Sequence, residues 1–341
     1  MKLHNRTPDI ENLYAVLRRE APSRPTLFEL FMNDPLYEVL TGQKRPEPDT
    51  LEYLRFRIDA FAAAGYDYTT TNACELDFNP GKFIQKDTRS LNDSAFITDE
   101  ASFESFHWPD VEKCDFSALE AVKDYLPGNM KLMVMGPSGV LENVIDLVGY
   151  DNLCFMLYED ADLVREIFDN IGSRLLQYYK IAAEFDSVGL IMVNDDWGFN
   201  MQTLLSPKHM REYVFPWHKK IVDMSHSHKL PVVLHSCGNL EAVIDDIVEM
   251  GYDGKHSYED AILPVEDAYE QWRDRIAILG GIDVDYLIRR TSDEITARCR
   301  AMLERTAQCG GWALGTGNSV PEYIPQDKYF TMIKAALDCA F

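Results

Sequence analysis

Short apolar runs that end in polar residues alternate with helical patterns along the chain. The runs lie at 26–31, 66–71, 131–135, 188–193, 231–234, 252–255, 276–279 and 311–315. The run VGLIMV at 188–193 is continuously apolar, as expected of a strand that is buried on both faces. Between the runs, apolar residues recur at helical spacing, as at Leu51, Leu54 and Phe61, before a stop at Gly65. The pattern predicts a parallel sheet whose strands alternate with helices.

Eight such repeats in 341 residues favour an α/β fold of the (β/α)8 TIM-barrel type, formed by residues 1–341 as a single domain. An open, doubly wound sheet is the alternative. Residues 73–109, after the second strand, give mixed signals over a length that predicts a lid or an insertion. In barrels of this type the active site lies at the carboxyl ends of the strands, so the polar residues that follow each strand are the candidates.

The stretch LPVVLHSCGNL combines a buried strand with two metal-binding residue types. His235 and Cys237 stand two residues apart, so a strand would direct both side chains to the same side. An imidazole and a thiolate are half of a zinc site, and the third ligand could be Glu259, Cys74 or His256, each at the end of another strand. The alternative is structural, because cysteine often packs as a small hydrophobe and histidine can bond a neighbouring backbone group.

Charge and composition exclude several functional classes. Lysine and arginine number 33 against 56 acidic residues, a formal charge of −23, which disfavours nucleic acid and anionic membranes as partners. No apolar stretch has the length of a membrane span and the chain begins without an apolar signal region, so we expect a cytoplasmic protein. Its seven cysteines contain no CxxC pair and are expected to be reduced. Signatures of nucleotide cofactors and hydrolase triads are absent from the sequence.

An ordered set of motifs in the second half of the chain carries a family resemblance. The motifs are NDDWG followed by LLSPKHMREYVFPWHKKI, then LHSCGN, GYDGKHSYED, ILGGIDV and LGTGNSVPEYIP. Together they resemble the uroporphyrinogen decarboxylase superfamily, which includes corrinoid-dependent methyltransferases. The resemblance covers roughly residues 130–340 and implies a (β/α)8 fold.

Within that superfamily, the decarboxylases carry an arginine-rich segment near the N-terminus that binds the porphyrinogen carboxylates. Here the corresponding strand ends in LFELF, and an octa-acid substrate would meet the acids Glu29, Glu75, Asp77, Asp195 and Asp196. Like charges in a partly desolvated pocket repel one another. The resemblance therefore favours the methyltransferase branch.

In the methyltransferase branch, the His and Cys of H-x-C and a later Cys hold zinc that activates a thiol acceptor. The resemblance implies that His235 and Cys237 are zinc ligands. The later position is Asn318 in this sequence, a departure from that pattern, so Glu259 or another group would complete the site. Without zinc, the family offers methyl transfer between a corrinoid protein and tetrahydrofolate. Amide and carboxylate side chains can hydrogen-bond the edge of the pterin ring, and Asn72, Asn194, Asp195 and Asn318 are suitable.

We therefore expect a methyltransferase that moves a methyl group between a corrinoid protein and a thiol or tetrahydrofolate acceptor. The alternatives are a decarboxylase-like lyase and a non-catalytic corrinoid-binding module. The expected residues are catalytic Asp195, Asp196, His235 and Glu259, cofactor-binding Asn72, Asn194, Asn318 and Asp283, and metal ligands His235, Cys237 and Glu259. Structural roles compete with these, since Asp196 and Asp283 could each cap a following turn or helix.

Overall fold

One parallel sheet organises the chain. The structure is a computed structural model that describes residues 3–79, 91–92 and 95–339. Within these residues the strands are β1 (Tyr68–Asn72), β2 (Lys131–Met135), β3 (Val188–Asn194), β4 (Val232–His235), β5 (Gly254–His256), β6 (Ala277–Leu279) and β7 (Trp312–Ala313). They lie side by side in chain order, and every neighbouring pair is parallel. The predicted α/β fold with a parallel sheet is confirmed.

Helices connect and flank the strands. Their bounds are α1 (Glu11–Leu17), α2 (Asp34–Thr41), α3 (Leu51–Ala64), α4 (Glu100–Glu104), α5 (Ser117–Ala121), α6 (Val140–Val148), α7 (Tyr150–Glu159), α8 (Ala161–Ala182), α9 (Pro207–His209), α10 (Phe215–Ser227), α11 (Ile244–Met250), α12 (Val265–Trp272), α13 (Val284–Arg289), α14 (Ser292–Thr306) and α15 (Gln326–Leu337). One turn of π-helix, Met210–Val214, joins α9 to α10, and 3₁₀ turns occupy Val111–Lys113 and Glu241–Val243. Among the described helices, none is long and apolar enough to cross a membrane.

The predicted first strand, 26–31, is not assigned as a strand of the sheet, although Leu27 forms an isolated parallel bridge with Leu314. Toward β7 it makes two backbone hydrogen bonds, from Phe28 N–H to the Leu314 carbonyl at 2.8 Å and from Leu314 N–H to the Thr26 carbonyl at 2.9 Å. Toward β1, the Tyr68 hydroxyl accepts the Glu29 N–H at 2.6 Å and donates to the Glu29 carbonyl at 2.7 Å. The Tyr68 side chain thus takes the hydrogen bonds that a backbone ladder between this segment and β1 would make. Within the described residues the assigned sheet therefore has seven strands.

The segment 73–109, expected to be a lid or an insertion, is described in part. Residues 80–90 and 93–94 lie outside the described residues. Further along, the backbone N–H groups of Phe96 and Ile97 both donate to the carbonyl of Leu147 in α6, and the Ile97 side chain is fully buried. These contacts attach the second half of the segment to the helix layer, and a lid remains a prediction.

Glu29 ties the segment 26–31 to the loop after β7. Its carboxyl group is fully buried, and it accepts the Thr316 hydroxyl at 2.6 Å and the Thr316 N–H at 3.3 Å. Burial raises the pKa of Glu29 to about 8, so the group is mostly protonated at neutral pH. The expectation that Glu29 would face a substrate as a charge is therefore wrong, because the side chain closes the gap between the segment and the loop after β7.

Replacing Glu29 with glutamine is expected to remove a pH dependence from the stability. The folded pKa of Glu29, about 8, lies above the ordinary value of 4.5, so the native state holds a proton that the unfolded chain releases as the pH rises through this window. The free energy of unfolding of the wild type should therefore fall relative to Glu29→Gln by up to about 1.4 kcal/mol for each pH unit from about 5 to about 8. Denaturant titrations of both proteins across that range measure the difference. Parallel curves would show that the carboxyl group does not hold its proton.

Candidate metal centre

Three possible metal ligands meet at the carboxyl ends of β3 and β4. The ligand atoms of Asp196, His235 and Cys237 all lie within 4.8 Å of one another. His235 Nε2 is 3.7 Å from Cys237 Sγ and 3.8 Å from Asp196 Oδ1. The strand register explains the meeting, because Asn194 of β3 pairs with His235 of β4, so positions two residues further on, Asp196 and Cys237, also lie side by side. The Cys237 N–H donates to Asp196 Oδ1 at 2.8 Å and fixes that contact.

A chain of hydrogen bonds sets the tautomer of His235. His256 Nε2 lies 3.0 Å from the Thr316 carbonyl, which can only accept, so the His256 proton is on Nε2. Burial lowers the pKa of His256 well below its usual range, which leaves Nδ1 of His256 as an acceptor. His235 Nδ1, 2.8 Å away, must therefore donate to it. Burial also lowers the pKa of His235 to about 3, so Nε2 of the neutral ring presents its lone pair toward Cys237 and Asp196.

The spacing of these atoms suits a tetrahedral ion. Zinc with bonds of about 2.1 Å to nitrogen and 2.3 Å to sulfur separates the two atoms by about 3.6 Å, close to the 3.7 Å between His235 Nε2 and Cys237 Sγ. Burial raises the pKa of the Cys237 thiol, and the nearby Asp196 charge raises it further. A divalent cation would reverse both effects by binding the thiolate. One imidazole, one thiolate and one carboxylate fit zinc with a fourth position open.

Asn318 occupies the place that the family resemblance gives to a second cysteine. Its amide Nδ2 donates to Cys237 Sγ at 3.2 Å, so it contacts the thiol directly. An amide nitrogen has no lone pair to offer a metal ion, and it serves here as a hydrogen-bond donor to sulfur. The neighbouring Ser257 hydroxyl lies 3.8 Å from the same sulfur. Besides His235 Nε2, these two polar groups therefore contact Cys237 Sγ.

Asp195, expected to be catalytic, is enclosed by the helix layer. Its carboxylate accepts the N–H groups of Leu141 at 3.0 Å and Glu142 at 2.9 Å, at the start of α6, and bonds His218 Nε2 at 2.9 Å. The side chain is fully buried, and a Cβ at Gly139 would overlap its carboxylate. A carboxylate at a helix N-terminus is stabilised by the free N–H groups and the helix dipole. The geometry gives Asp195 a structural task, while Asp196 is directed to the ligand cluster.

The remaining expected residues fall into separate places. Glu259 is half-buried in the wall of an adjoining cavity and is outside the ligand cluster found among the described residues. Asp283 caps α13 by accepting the N–H groups of Asp285 and Tyr286 at 2.7 and 3.2 Å, which is the structural alternative. Asn72 is exposed at the end of β1. Asn194 ends β3 with a buried amide oxygen that has no partner among the described residues.

Two residues of the site carry more weight than the sequence indicated. His256, considered as a third ligand, instead orients His235 from the next strand. Lys255 is 3% exposed, although a lysine in a three-residue strand gives little sign of burial. The register between β3 and β4 could have indicated Asp196 as a neighbour of Cys237, since the polar ends of adjacent parallel strands lie side by side.

Comparison with known families now decides the classification. The family model described as uroporphyrinogen decarboxylase (URO-D) matches residues 74–338, most of the chain. The chain belongs to the URO-D family. The predicted resemblance is confirmed, and in this URO-D protein the ligand cluster lies inside the matched region. A search of curated proteins finds no match.

Solved structures similar to this URO-D protein include a methyltransferase from Methanosarcina mazei. That likeness has a TM-score of 0.72 at 16% identity and covers 96% of this chain and 97% of the other. An intracellular xylanase from Thermoanaerobacterium saccharolyticum also matches, with a TM-score of 0.42 at 12% identity over 92% of this chain and 90% of the xylanase. At these identities the first likeness shows that the fold is shared over nearly the full length of both chains.

The neighbouring aspartates 195 and 196 should respond differently to alanine. Asp195→Ala removes a buried partner of His218 and of the α6 N-terminus, so the free energy of unfolding should fall by about 3–5 kcal/mol. Asp196→Ala loses the hydrogen bond from Cys237 N–H, and the loss should be about 1 kcal/mol. Urea unfolding followed by circular dichroism provides the comparison. Equal losses would contradict the assignment of different tasks to the two residues.

Proposed function

We propose that this protein is a methyltransferase that moves a methyl group between a corrinoid carried by a partner protein and a thiol acceptor bound at a metal site. The observation that carries the proposal is the cluster of Asp196, His235 and Cys237 at the carboxyl end of the sheet in a URO-D family chain. The similarity of fold to a methyltransferase over nearly the whole chain supports it. Tetrahydrofolate is the alternative acceptor.

The donor set supports a divalent ion by its charge as well as its spacing. A thiolate from Cys237 and a carboxylate from Asp196 carry two negative charges, and His235 is neutral, so one divalent cation neutralises the cluster. A zinc ion bound there would lower the pKa of a substrate thiol and hold it as a thiolate nucleophile. In this proposal Asp196 takes the place of the third ligand, ahead of Glu259, because its oxygen lies beside the other two donors.

The remaining residues would position the substrate. A cavity of about 740 Å³ adjoins the cluster, and its wall includes Asn318, Glu259 and Tyr323. This size is within the range of small-molecule sites. Asn318 contacts Cys237 and also lines the cavity, so in this proposal the acceptor would approach the cluster past Asn318. Close placement of the acceptor sulfur opposite the partner's methyl group would allow in-line displacement.

The finer architecture is part of the proposal. We infer that the segment 26–31 acts as the first strand of a (β/α)8 barrel, since it hydrogen-bonds to the residue after β7 and to Tyr68 of β1. In this arrangement Asn72 and Asn194 end β1 and β3, the two strands on either side of β2, and they remain candidates to bind a pterin ring if tetrahydrofolate is the acceptor. In a closed barrel, the carboxyl ends of all strands would form a single opening, and the partner's corrinoid would bind over it.

Metal content provides the first test of the proposed site. Wild-type protein purified without added metal should contain about one zinc per chain, and Cys237→Ser or Asp196→Asn should lose most of it because each removes a charged ligand. Cys154→Ser is the matched control, since Cys154 is a half-buried cysteine on α7 outside the cluster. Inductively coupled plasma mass spectrometry measures the content. A metal-free wild type, or full zinc in Cys237→Ser, would remove the basis for a metal-activated thiol.

Methyl transfer itself is tested with methylcobalamin in place of the partner-bound corrinoid. With a small alkyl thiol, wild-type enzyme should accelerate the loss of the methyl-cobalt absorbance, and Cys237→Ser should reduce that rate by at least about 100-fold through loss of the activating ion. Cys154→Ser should keep the wild-type rate. Loss with tetrahydrofolate but not with thiols would favour the alternative acceptor. Release of carbon dioxide from acidic tetrapyrroles, without methyl transfer, would identify a decarboxylase instead.

A further inference from the structure

A second, smaller cavity lies beside the metal centre, between the loop after β4 and helix α12. Its volume is about 100 Å³, and Leu240, Leu263 and Trp272 form its apolar wall. The Lys255 side chain and Tyr258 line the same cavity. Since Lys255 and His256 are consecutive in a strand, their side chains lie on opposite faces of the sheet, and the cavity is on the face opposite to the histidine pair.

Lys255 is a buried cation with few partners. It is 3% exposed, and its ammonium donates to the Ser257 carbonyl at 2.7 Å and lies 3.5 Å from the Ser236 carbonyl. The ammonium is also 4.4 Å from the centroid of the Tyr258 ring. No ion pair joins it to a carboxylate within the described parts of the chain. Asp196 and Glu259 act on the ammonium from beyond ion-pair distance, so an anion that arrives with a ligand would form the direct pair that the described residues do not supply.

The cavity wall offers a second unused polar group. The Tyr258 hydroxyl is buried and has no hydrogen-bond partner among the described residues, although buried hydroxyls are usually paired. Tyr258 lies in contact with Lys255 through its ring and with Trp272 at a centroid separation of 6.5 Å. An ammonium with no carboxylate at ion-pair distance and a hydroxyl with no hydrogen-bond partner among the described residues therefore belong to residues that line the same small cavity.

The size and the remaining charges restrict the ligand. The volume of about 100 Å³ exceeds the roughly 30 Å³ of one water and is less than the about 150 Å³ of a cavity that binds benzene. Lys255 is the cationic residue of the described cavity wall, and Glu241 and Glu259 also line it, so a negative charge is favoured only in direct contact with the ammonium and a second one on the ligand would be repelled. A ligand with one anionic group and a short apolar chain would meet these restrictions.

We propose that this cavity binds a small aliphatic monocarboxylate, with its carboxylate on the Lys255 ammonium and its hydrocarbon chain against Leu263 and Trp272. The site goes beyond the proposed methyl transfer, because it requires neither the metal ligands nor a corrinoid. Burial lowers the pKa of Lys255 to about 8, and the ammonium is therefore mostly charged at pH 7. The Ser257 hydroxyl, which lies 3.8 Å from Cys237 Sγ, connects the cavity to the metal centre.

The test uses propionate as the probe and the full-length protein. Isothermal titration calorimetry at pH 7 should show saturable binding of propionate to the wild type. Propionamide and succinate should bind the wild type at least about tenfold more weakly. Lys255→Met should bind propionate at least about tenfold more weakly than the wild type does. Lys131→Met is the matched control, because Lys131 on β2 donates to the Asp186 carbonyl at 2.6 Å outside this cavity. That variant should bind propionate as the wild type does.

A second variant keeps the test decisive if Lys255→Met fails to fold by circular dichroism. Leu263→Trp retains the lysine but fills the cavity, and it should also lose propionate binding. The absence of saturable binding to the wild type, equal binding of propionamide, or undiminished binding to folded Lys255→Met or Leu263→Trp would each overturn the proposal. Cys237→Ser should keep propionate binding, so failure of the metal site and failure of this cavity are distinguished.

Discussion

The candidate site depends on one hydrogen bond, from His256 Nε2–H to the carbonyl of Thr316. This bond determines which nitrogen of His256 is the acceptor, and hence which nitrogen of His235 keeps its lone pair. Thr316 is itself held by the buried carboxyl group of Glu29. The segment 26–31 and the loop after β7 therefore determine which nitrogen of His235, on β4, is free to bind a metal ion. Burial keeps both rings neutral, because a protonated imidazole would lose its solvation there.

The polar strand ends divide into two groups by the direction of their side chains. Asp195 and Asp283 accept backbone N–H groups of helix starts and hold the helices on the sheet. Asp196 and Cys237 turn to the opposite side, where the carboxyl group and the thiol meet the lone pair of His235. The sheet supplies both tasks because successive residues alternate in direction. The backbone ties the set together, since His235 pairs with Asn194 across β3 and β4 and the Cys237 N–H donates to Asp196.

Sequence reasoning reached the α/β fold with a parallel sheet because strand and helix periodicities are local properties. It also reached His235 and Cys237, whose spacing along one strand is enough to bring them together. It proposed Glu259 as the third ligand and gave Asp196 a catalytic role, whereas the donor that lies beside His235 and Cys237 is Asp196, through a register between β3 and β4 that no local pattern contains. The segment 26–31 has the composition of a strand, but the Tyr68 hydroxyl takes the hydrogen bonds that a ladder would make. Lys255 was missed because burial of a lysine depends on the surrounding fold.

The adjacent pair Asp195 and Asp196 has a consequence for how such a site can evolve. Asp195 holds the start of α6, and Asp196, the next residue, belongs to the ligand cluster. Adjacent residues therefore serve the stability of the fold and the chemistry of the site. Substitutions at position 196 can change the hardness of the donor, and with it the preferred ion, while the frame that carries the donor persists. A change of donor at position 196 can therefore alter the metal preference of such a site without disturbing the contacts that hold α6.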